Sequence, residues 1–264
     1  MRGYRSLLAA LVMVFMLFAC NVQDHFIYFP DKKRPSDQCL AEAHLAFWKP
    51  YEENYHGLID TRAIENPKGT IIVFHGNAGK ATDREFYTGM FRPFGYRVIL
   101  AEYPGYGGRP GKPGERSFLS AGREVLHLAF NEYGPPIYLV GESLGCGVAT
   151  WLAGHTSVVE GMILFTPWDT LSSVAGEKTS SLIAGLVLKD QYDSIANLRT
   201  YNKRLAIVGA EHDGIIPVGH ARSLYDSYAG QKRMWTLPQA GHNDWPYFLD
   251  SIKVKEIVDF LAGL

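Results

Sequence analysis

A serine framed by glycines, Gly141-Glu142-Ser143-Leu144-Gly145, carries the strongest chemical signal in this chain of 264 residues. An apolar run at 137–140 precedes it, and a small-residue stretch at 146–153 follows. That pattern predicts strand, sharp turn and helix, the context in which G-x-S-x-G forms a nucleophile elbow. The turn holds the serine in a strained backbone conformation, and the glycines leave room where side chains would clash. An alcohol is a poor nucleophile at neutral pH, so Ser143 needs a base, and the base needs an orienting carboxylate.

Both partners have candidates downstream. The run 205–209 leads into Ala210-Glu211-His212-Asp213, which sets Asp213 just past the carboxyl end of a strand. Ala240-Gly241-His242-Asn243-Asp244 follows the run 234–237, which sets His242 on the loop before the final helix. Serine, acid, histidine is a chain order that accompanies such an elbow. Asp169 and Asp193 also follow a strand and compete for the acid's role, whereas Glu211 falls two residues early. His212 and His220 are rival histidines, but neither follows the last strand.

Acyl chemistry also needs N–H donors for the oxyanion. The backbone N–H of Leu144, at a helix N-terminus, is one candidate. Phe74-His75-Gly76-Asn77-Ala78-Gly79 offers Asn77 N–H as the second, with a plain strand-to-helix link as the competing reading. His75 reads as a packing and hydrogen-bonding support. Arg84 reads either as a pin on this loop, acting through a carboxylate, or as a solvated helix residue. Tyr103, Tyr106 and Trp168 are candidate substrate contacts, with core packing as the alternative for the two tyrosines.

These residues require a scaffold of alternating strands and helices. Strands are expected at 44–48, 57–64, 70–74, 97–102, 137–140, 162–165, 205–209 and 234–237. The later ones are continuous apolar runs, as in strands buried on both faces of a parallel sheet. Helices are expected near 82–92, 116–132, 144–153, 218–229 and 251–262. The alternation predicts an α/β fold, a doubly wound and mostly parallel sheet with an antiparallel start. After the sixth strand, 166–198 forms an excursion expected to cap the site, with 180–188 reading as apolar helix; a packed connecting helix is the alternative. Residues 20–43 read as a tether and lead-in, and 44–264 as the domain.

The remaining composition narrows the function. A formal net charge of −1 without a basic block gives nucleic-acid binding no electrostatic footprint. Cys39 and Cys146 read as free thiols and lack the spacing of a metal site. At the N-terminus, Arg2 and Arg5 precede an apolar run at 7–20, which has the size of a signal-peptide core. It ends Leu17-Phe18-Ala19-Cys20, which resembles a bacterial lipobox with Cys20 as the lipidated residue, although Phe18 is bulkier than usual. Residues 1–19 would then be removed, leaving a lipid-anchored protein of the bacterial cell envelope that faces the periplasm or exterior. An ordinary signal peptide or an uncleaved anchor are the alternatives. Asn21, in place of an inner-membrane retention aspartate, points toward the outer membrane.

Taken together, HGNAG at 75–79, YPGYG at 103–107, GESLG at 141–145, GAEHDGIIP at 209–217 and AGHND at 240–244 resemble one branch of the α/β-hydrolase superfamily. That branch comprises serine hydrolases with an HGNAG-type oxyanion loop, among them depalmitoylase-like enzymes and many bacterial proteins. The resemblance covers about residues 26 to 264. It implies Ser143, Asp213 and His242 as the triad, and Asn77 and Leu144 as oxyanion donors. The expected activity is hydrolysis of carboxylic esters or thioesters of small acyl or lipid substrates, with neither metal nor organic cofactor. An acyltransferase using the same triad is the first alternative. A non-catalytic surface binding lipoprotein is the second, and it predicts a damaged triad that the sequence does not show.

Overall fold

The computed structural model describes residues 25–49, 54–177 and 188–264. Cys20, the apolar run 7–20 and residues 180–187 of the expected cap helix lie outside the described residues. The strands are β1 (Phe29–Pro30), β2 (Leu45–Trp48), β3 (Gly57–Asp60), β4 (Gly69–Phe74) and β5 (Ala78–Gly79). They continue with β6 (Tyr96–Ala101), β7 (Ile137–Glu142), β8 (Val159–Phe165), β9 (Arg204–Ala210) and β10 (Lys232–Leu237). The helices are α1 (Asp37–Glu42), α2 (Phe86–Phe91), α3 (Glu115–Tyr133) and α4 (Leu144–Gly154). After these come α5 (Leu171–Gly176), α6 (Ser194–Leu198), α7 (Val218–Ser227) and α8 (Ser251–Ala262).

Eight strands form one sheet in the order β10-β9-β8-β7-β4-β6-β3-β2. Pairing is antiparallel for β2 with β3 and for β3 with β6, and parallel elsewhere. This is the α/β-hydrolase fold. Alternation along each strand divides the core between the two faces of the sheet. Ile72, Phe74 and Leu139 face Phe118 and Val125 of α3 and Val148 and Leu152 of α4. Ile71, Val73 and Val140 face Tyr87 and Phe91 of α2 and Ile257 and Leu261 of α8. Local signals close the elements as expected. The Asp250 carboxylate accepts the Lys253 N–H at 2.8 Å to start α8, and Gly263, with φ +80°, ends it.

Several boundaries differ from the sequence expectation. The strand expected over 57–64 stops at Asp60, whose carboxylate accepts from both the backbone and the guanidinium of Arg62. That local turn competes with the sheet ladder and ends it. The helix expected near 82–92 divides into a 3-10 turn, Ala81–Arg84, and α2. The lead-in segment is part of the folded body. Its β1 pairs in parallel with β5, Tyr28 is buried, and α1 buries Leu40. Within the excursion, α6 packs on α4, and the Thr200 hydroxyl donates to the Gly154 carbonyl at 2.7 Å. A bridge between Thr170 and Asp193 brings the two ends of the excursion together.

The elbow depends on close backbone approach. A Cβ at Gly145 would stand 1.9 Å from the Phe74 carbonyl oxygen, and one at Gly141 2.6 Å from the Cys146 Cα. Gly145→Ala is therefore expected to cost about 3 kcal/mol or more, because backbone must yield rather than a side chain. Gly219→Ala, on α7 where a new Cβ meets nothing within 4 Å, is expected to gain about 0.5–1 kcal/mol. Thermal unfolding of the two variants checks this; equal melting temperatures would contradict it.

Candidate active site

Ser143 is the N-cap of α4 at φ +52° and ψ −116°, a strained combination for a residue with a side chain. Its N–H donates to the Phe165 carbonyl at 3.0 Å, which fastens the turn to the end of β8. The Oγ lies 3.0 Å from His242 Nε2, and His242 Nδ1 lies 2.7 Å from Asp213 Oδ2. The other Asp213 oxygen accepts the N–H groups of Ile215 at 2.9 Å and Ile216 at 2.7 Å. With both oxygens accepting, Asp213 holds the proton of His242 on Nδ1 and leaves Nε2 open to the serine hydroxyl. Ser143, Asp213 and His242 thus converge.

The rival residues stand elsewhere. Asp169 lies 2.8 Å from His220 Nδ1, and the other nitrogen of that ring faces Glu177 at 3.2 Å. Asp193 caps α6 by accepting the Ala196 N–H, and Glu211 pairs with Arg222 on the surface. None of them bonds to His242.

The loop after β4 is braced from several sides. A Cβ at Gly76 would lie 3.6 Å from the Ser143 Cβ, so this loop borders the nucleophile directly. The Asn77 side-chain amide donates to the Ile27 carbonyl at 2.8 Å, and the Asn77 main-chain carbonyl accepts from Phe29 N–H and the Tyr106 hydroxyl. These bonds fix the orientation of the peptide around Asn77. Leu144 is the first residue of α4, where backbone N–H groups lack intrahelical partners.

Tyr103 and Tyr106, the candidate substrate contacts, lie under the loop after β4. Both are fully buried. The Tyr103 hydroxyl donates to the His75 carbonyl at 3.0 Å, and its ring stacks on Phe118. They support the loop from below. Trp168 is likewise buried, with its indole N–H donating to the Tyr192 carbonyl at 3.2 Å. The Cys146 thiol lies behind the serine against the Phe165 carbonyl, and burial pushes its pKa well up, so it stays a thiol.

Two carboxylates that hold the site were missed in the sequence. Glu142, beside the nucleophile, takes Arg84 Nε and Nη2 at 2.8–3.1 Å and the Tyr87 hydroxyl at 3.1 Å. Burial works against the Arg84 charge, yet Glu142 holds the guanidinium above its ordinary pKa. Arg84 therefore acts through a carboxylate. Glu102, fully buried, faces His75 Nε2 at 3.1 Å and accepts from Ala81 N–H, Tyr103 N–H and the Tyr55 hydroxyl. Glu142 was visible as the variable residue of G-x-S-x-G, and Arg84 and Tyr87 stand three apart, a helical spacing that can point at one partner. Glu102 had no comparable signal.

A cleft of about 450 Å³ opens beside His242. Asp83, Arg84 and Glu142 line one wall, and His242, Asn243 and Trp245 the other.

Fold and side-chain arrangement together define an elbow-serine protein on a doubly wound sheet, and known proteins agree. No family model matches the chain. An uncharacterized Mycobacterium tuberculosis protein, Rv2307c, is 31% identical over 183 residues, covering 68% of this chain and 64% of that protein. Lysophosphatidylserine lipase ABHD12 of Danio rerio is 25% identical over 245 residues, covering 78% of this chain and 64% of the lipase. The chain thus spans a little under two thirds of each of these relatives. Among solved structures, the Pyrococcus furiosus esterase Pf2001 superposes with a TM-score of 0.66 at 14% identity, over 89% of this chain and 97% of the esterase. The chain has the α/β-hydrolase fold and is similar in sequence to proteins of that superfamily.

The Arg84–Glu142 pair generates a stability prediction. Arg84→Ala or Glu142→Ala leaves a largely buried charge unpaired and is expected to cost about 3 kcal/mol. The double variant Arg84→Met/Glu142→Leu is expected to lose less than either single one. Urea unfolding of the three proteins checks this, and additive losses would contradict it.

Proposed function

We propose that the chain is a serine hydrolase that cleaves carboxylic esters or thioesters through an acyl-Ser143 intermediate. The observation that carries this reading is the continuous hydrogen-bonded line from Asp213 through His242 to an elbow serine. Esterase and lipase names among the similar proteins favour ester bonds, lipid esters included. In the first half-reaction, Ser143 Oγ attacks the acyl carbon while its proton passes to His242 Nε2. The carbonyl electron pair moves onto oxygen, toward the backbone N–H groups of Leu144 and Asn77. Collapse breaks the bond to the leaving oxygen or sulfur, which takes the proton from Nε2. Water repeats the sequence on the acyl-enzyme, releasing the acid and restoring the serine. Asp213 stabilises the imidazolium in both halves.

The setting follows from the N-terminus. In this reading Cys20 is lipidated and the body is held at a membrane of the bacterial envelope. Because Phe29 and Pro30 are already paired with β5, the tether is shorter than the 20–43 segment read from the sequence. From Cys20 to Phe26 the chain reaches no more than about 20 Å at roughly 3.5 Å per residue. Among the described residues no helix is long and apolar enough to cross a membrane.

An organophosphonate probe is expected to add one adduct per chain at Ser143, and Ser143→Ala is expected to lose both label and turnover. A label mapped to another serine would contradict the assignment. Asp213→Asn is expected to slow turnover by about 10³–10⁴-fold while leaving the fold intact, since it favours the wrong histidine tautomer. Cys20→Ser is expected to release the protein from the membrane fraction without changing the activity of the purified domain. Esters graded in acyl length should show turnover at about six to twelve carbons, each buried CH₂ contributing about 0.8 kcal/mol. A steady fall from acetyl upward would point instead to a small polar pocket.

A further inference from the structure

We propose that the cleft beside His242 is the subsite for the leaving alcohol, and that it selects an uncharged or ammonium-bearing alcohol over one carrying a phosphate or carboxylate. The inference rests on the serine-hydrolase reading and deepens it. In that mechanism the leaving oxygen must meet His242 Nε2 to receive its proton, so whatever is attached to that oxygen occupies space next to the ring. The cleft of about 450 Å³ is bounded by His242 itself, and its volume suits a small polyol or amino alcohol.

The charges on its walls decide the class. Among the described residues of the lining Arg84 is the arginine or lysine present, and Glu142 matches it through hydrogen bonds from Nε and Nη2. Neutralised in this way, the pair contributes dipoles rather than net charge. Asp83 is then in excess. One of its oxygens accepts the Lys80 N–H at 3.0 Å, which aligns the carboxylate without cancelling it. Lys80 itself is drawn to Asp31, 2.7 Å away on the far side of β5. Across the cleft, Asn243 is exposed and uncharged, and Trp245 supplies an apolar ring edge. A phosphate entering here would meet a carboxylate and a guanidinium already committed. A hydroxyl or ammonium would meet acceptors on Asp83 and Asn243. This lining differs from one built to recognise phosphate, where unmatched arginine or lysine is the rule.

The test uses the purified protein and three esters with one acyl chain: octanoylcholine, 1-octanoylglycerol and 1-octanoylglycerol 3-phosphate. Octanoyl p-nitrophenol serves as the control for the chemistry. The expected result is a kcat/KM at least tenfold lower for the phosphate ester than for the glycerol ester, with the choline ester at or above the glycerol ester. The difference should lie mainly in KM. Asp83→Asn, which keeps an oxygen for the Lys80 N–H, should narrow the choline-to-phosphate ratio about tenfold. Asn243→Arg should raise kcat/KM for the phosphate ester about tenfold, and thermal unfolding confirms that each variant is folded. Equal rates on the three esters, or unchanged ratios in both folded variants, would overturn the proposal. Cleavage of the p-nitrophenyl ester without cleavage of any of the three would overturn it as well. Loss of the p-nitrophenyl activity itself would instead overturn the serine-hydrolase reading.

Discussion

The contact between the first turn of α4 and the end of β4 is the constraint on which the site depends. Gly145 lies so close to the Phe74 carbonyl that no side chain fits between them. That approach sets the helix directly behind the strand ends and forces the chain through φ +52° at Ser143. Thr166, beside the Phe165 carbonyl that the elbow bonds to, is also at positive φ, +48°. The strained turn is held by the Ser143 N–H bond to Phe165 and by core packing on both faces of the sheet. With the serine fixed, His242 and Asp213 need only the ordinary ends of β10 and β9 to reach it.

Two buried acids provide the rest of the framework. Glu142 draws Arg84 and Tyr87 toward the elbow, while Glu102 gathers His75, Ala81, Tyr103 and Tyr55 beneath the neighbouring loop. Each carboxylate is surrounded by donors, which is the condition under which a buried charge is tolerated. The N-terminal segment completes the arrangement. Ile27 and Phe29 bond to Asn77, and Asp31 binds the Lys80 ammonium, so the chain that leads in from the N-terminus is stitched to the loop beside the nucleophile. A change in how that segment is held would reach Asn77 through two hydrogen bonds.

What the sequence disclosed depended on whether a signal was local. The elbow, the acid after β9 and the histidine after β10 each sit in a short stretch whose pattern and place in the chain are readable together. The alternating elements are readable for the same reason, since apolar runs of strand length recur between helical ones. Glu102 was not readable, because a single acid after a strand has no pattern and its partners Tyr55 and His75 come from distant segments. Tyr103 and Tyr106 read as pocket or core residues because aromatics near a site suit either role; in the structure their hydroxyls donate to loop carbonyls. The β1–β5 pairing escaped because two-residue strands carry no periodicity. The rival acid Asp169 could be set aside only once its bond to His220 was seen.

The central claim is that Ser143 carries the acyl group during turnover. The most direct measurement is acid quenching of the protein during steady turnover of an octanoyl thioester, followed by peptide mass analysis. One octanoyl group is expected on the peptide containing Ser143, and none in Ser143→Ala. An octanoyl group on a different residue, or undiminished turnover by Ser143→Ala, would contradict it.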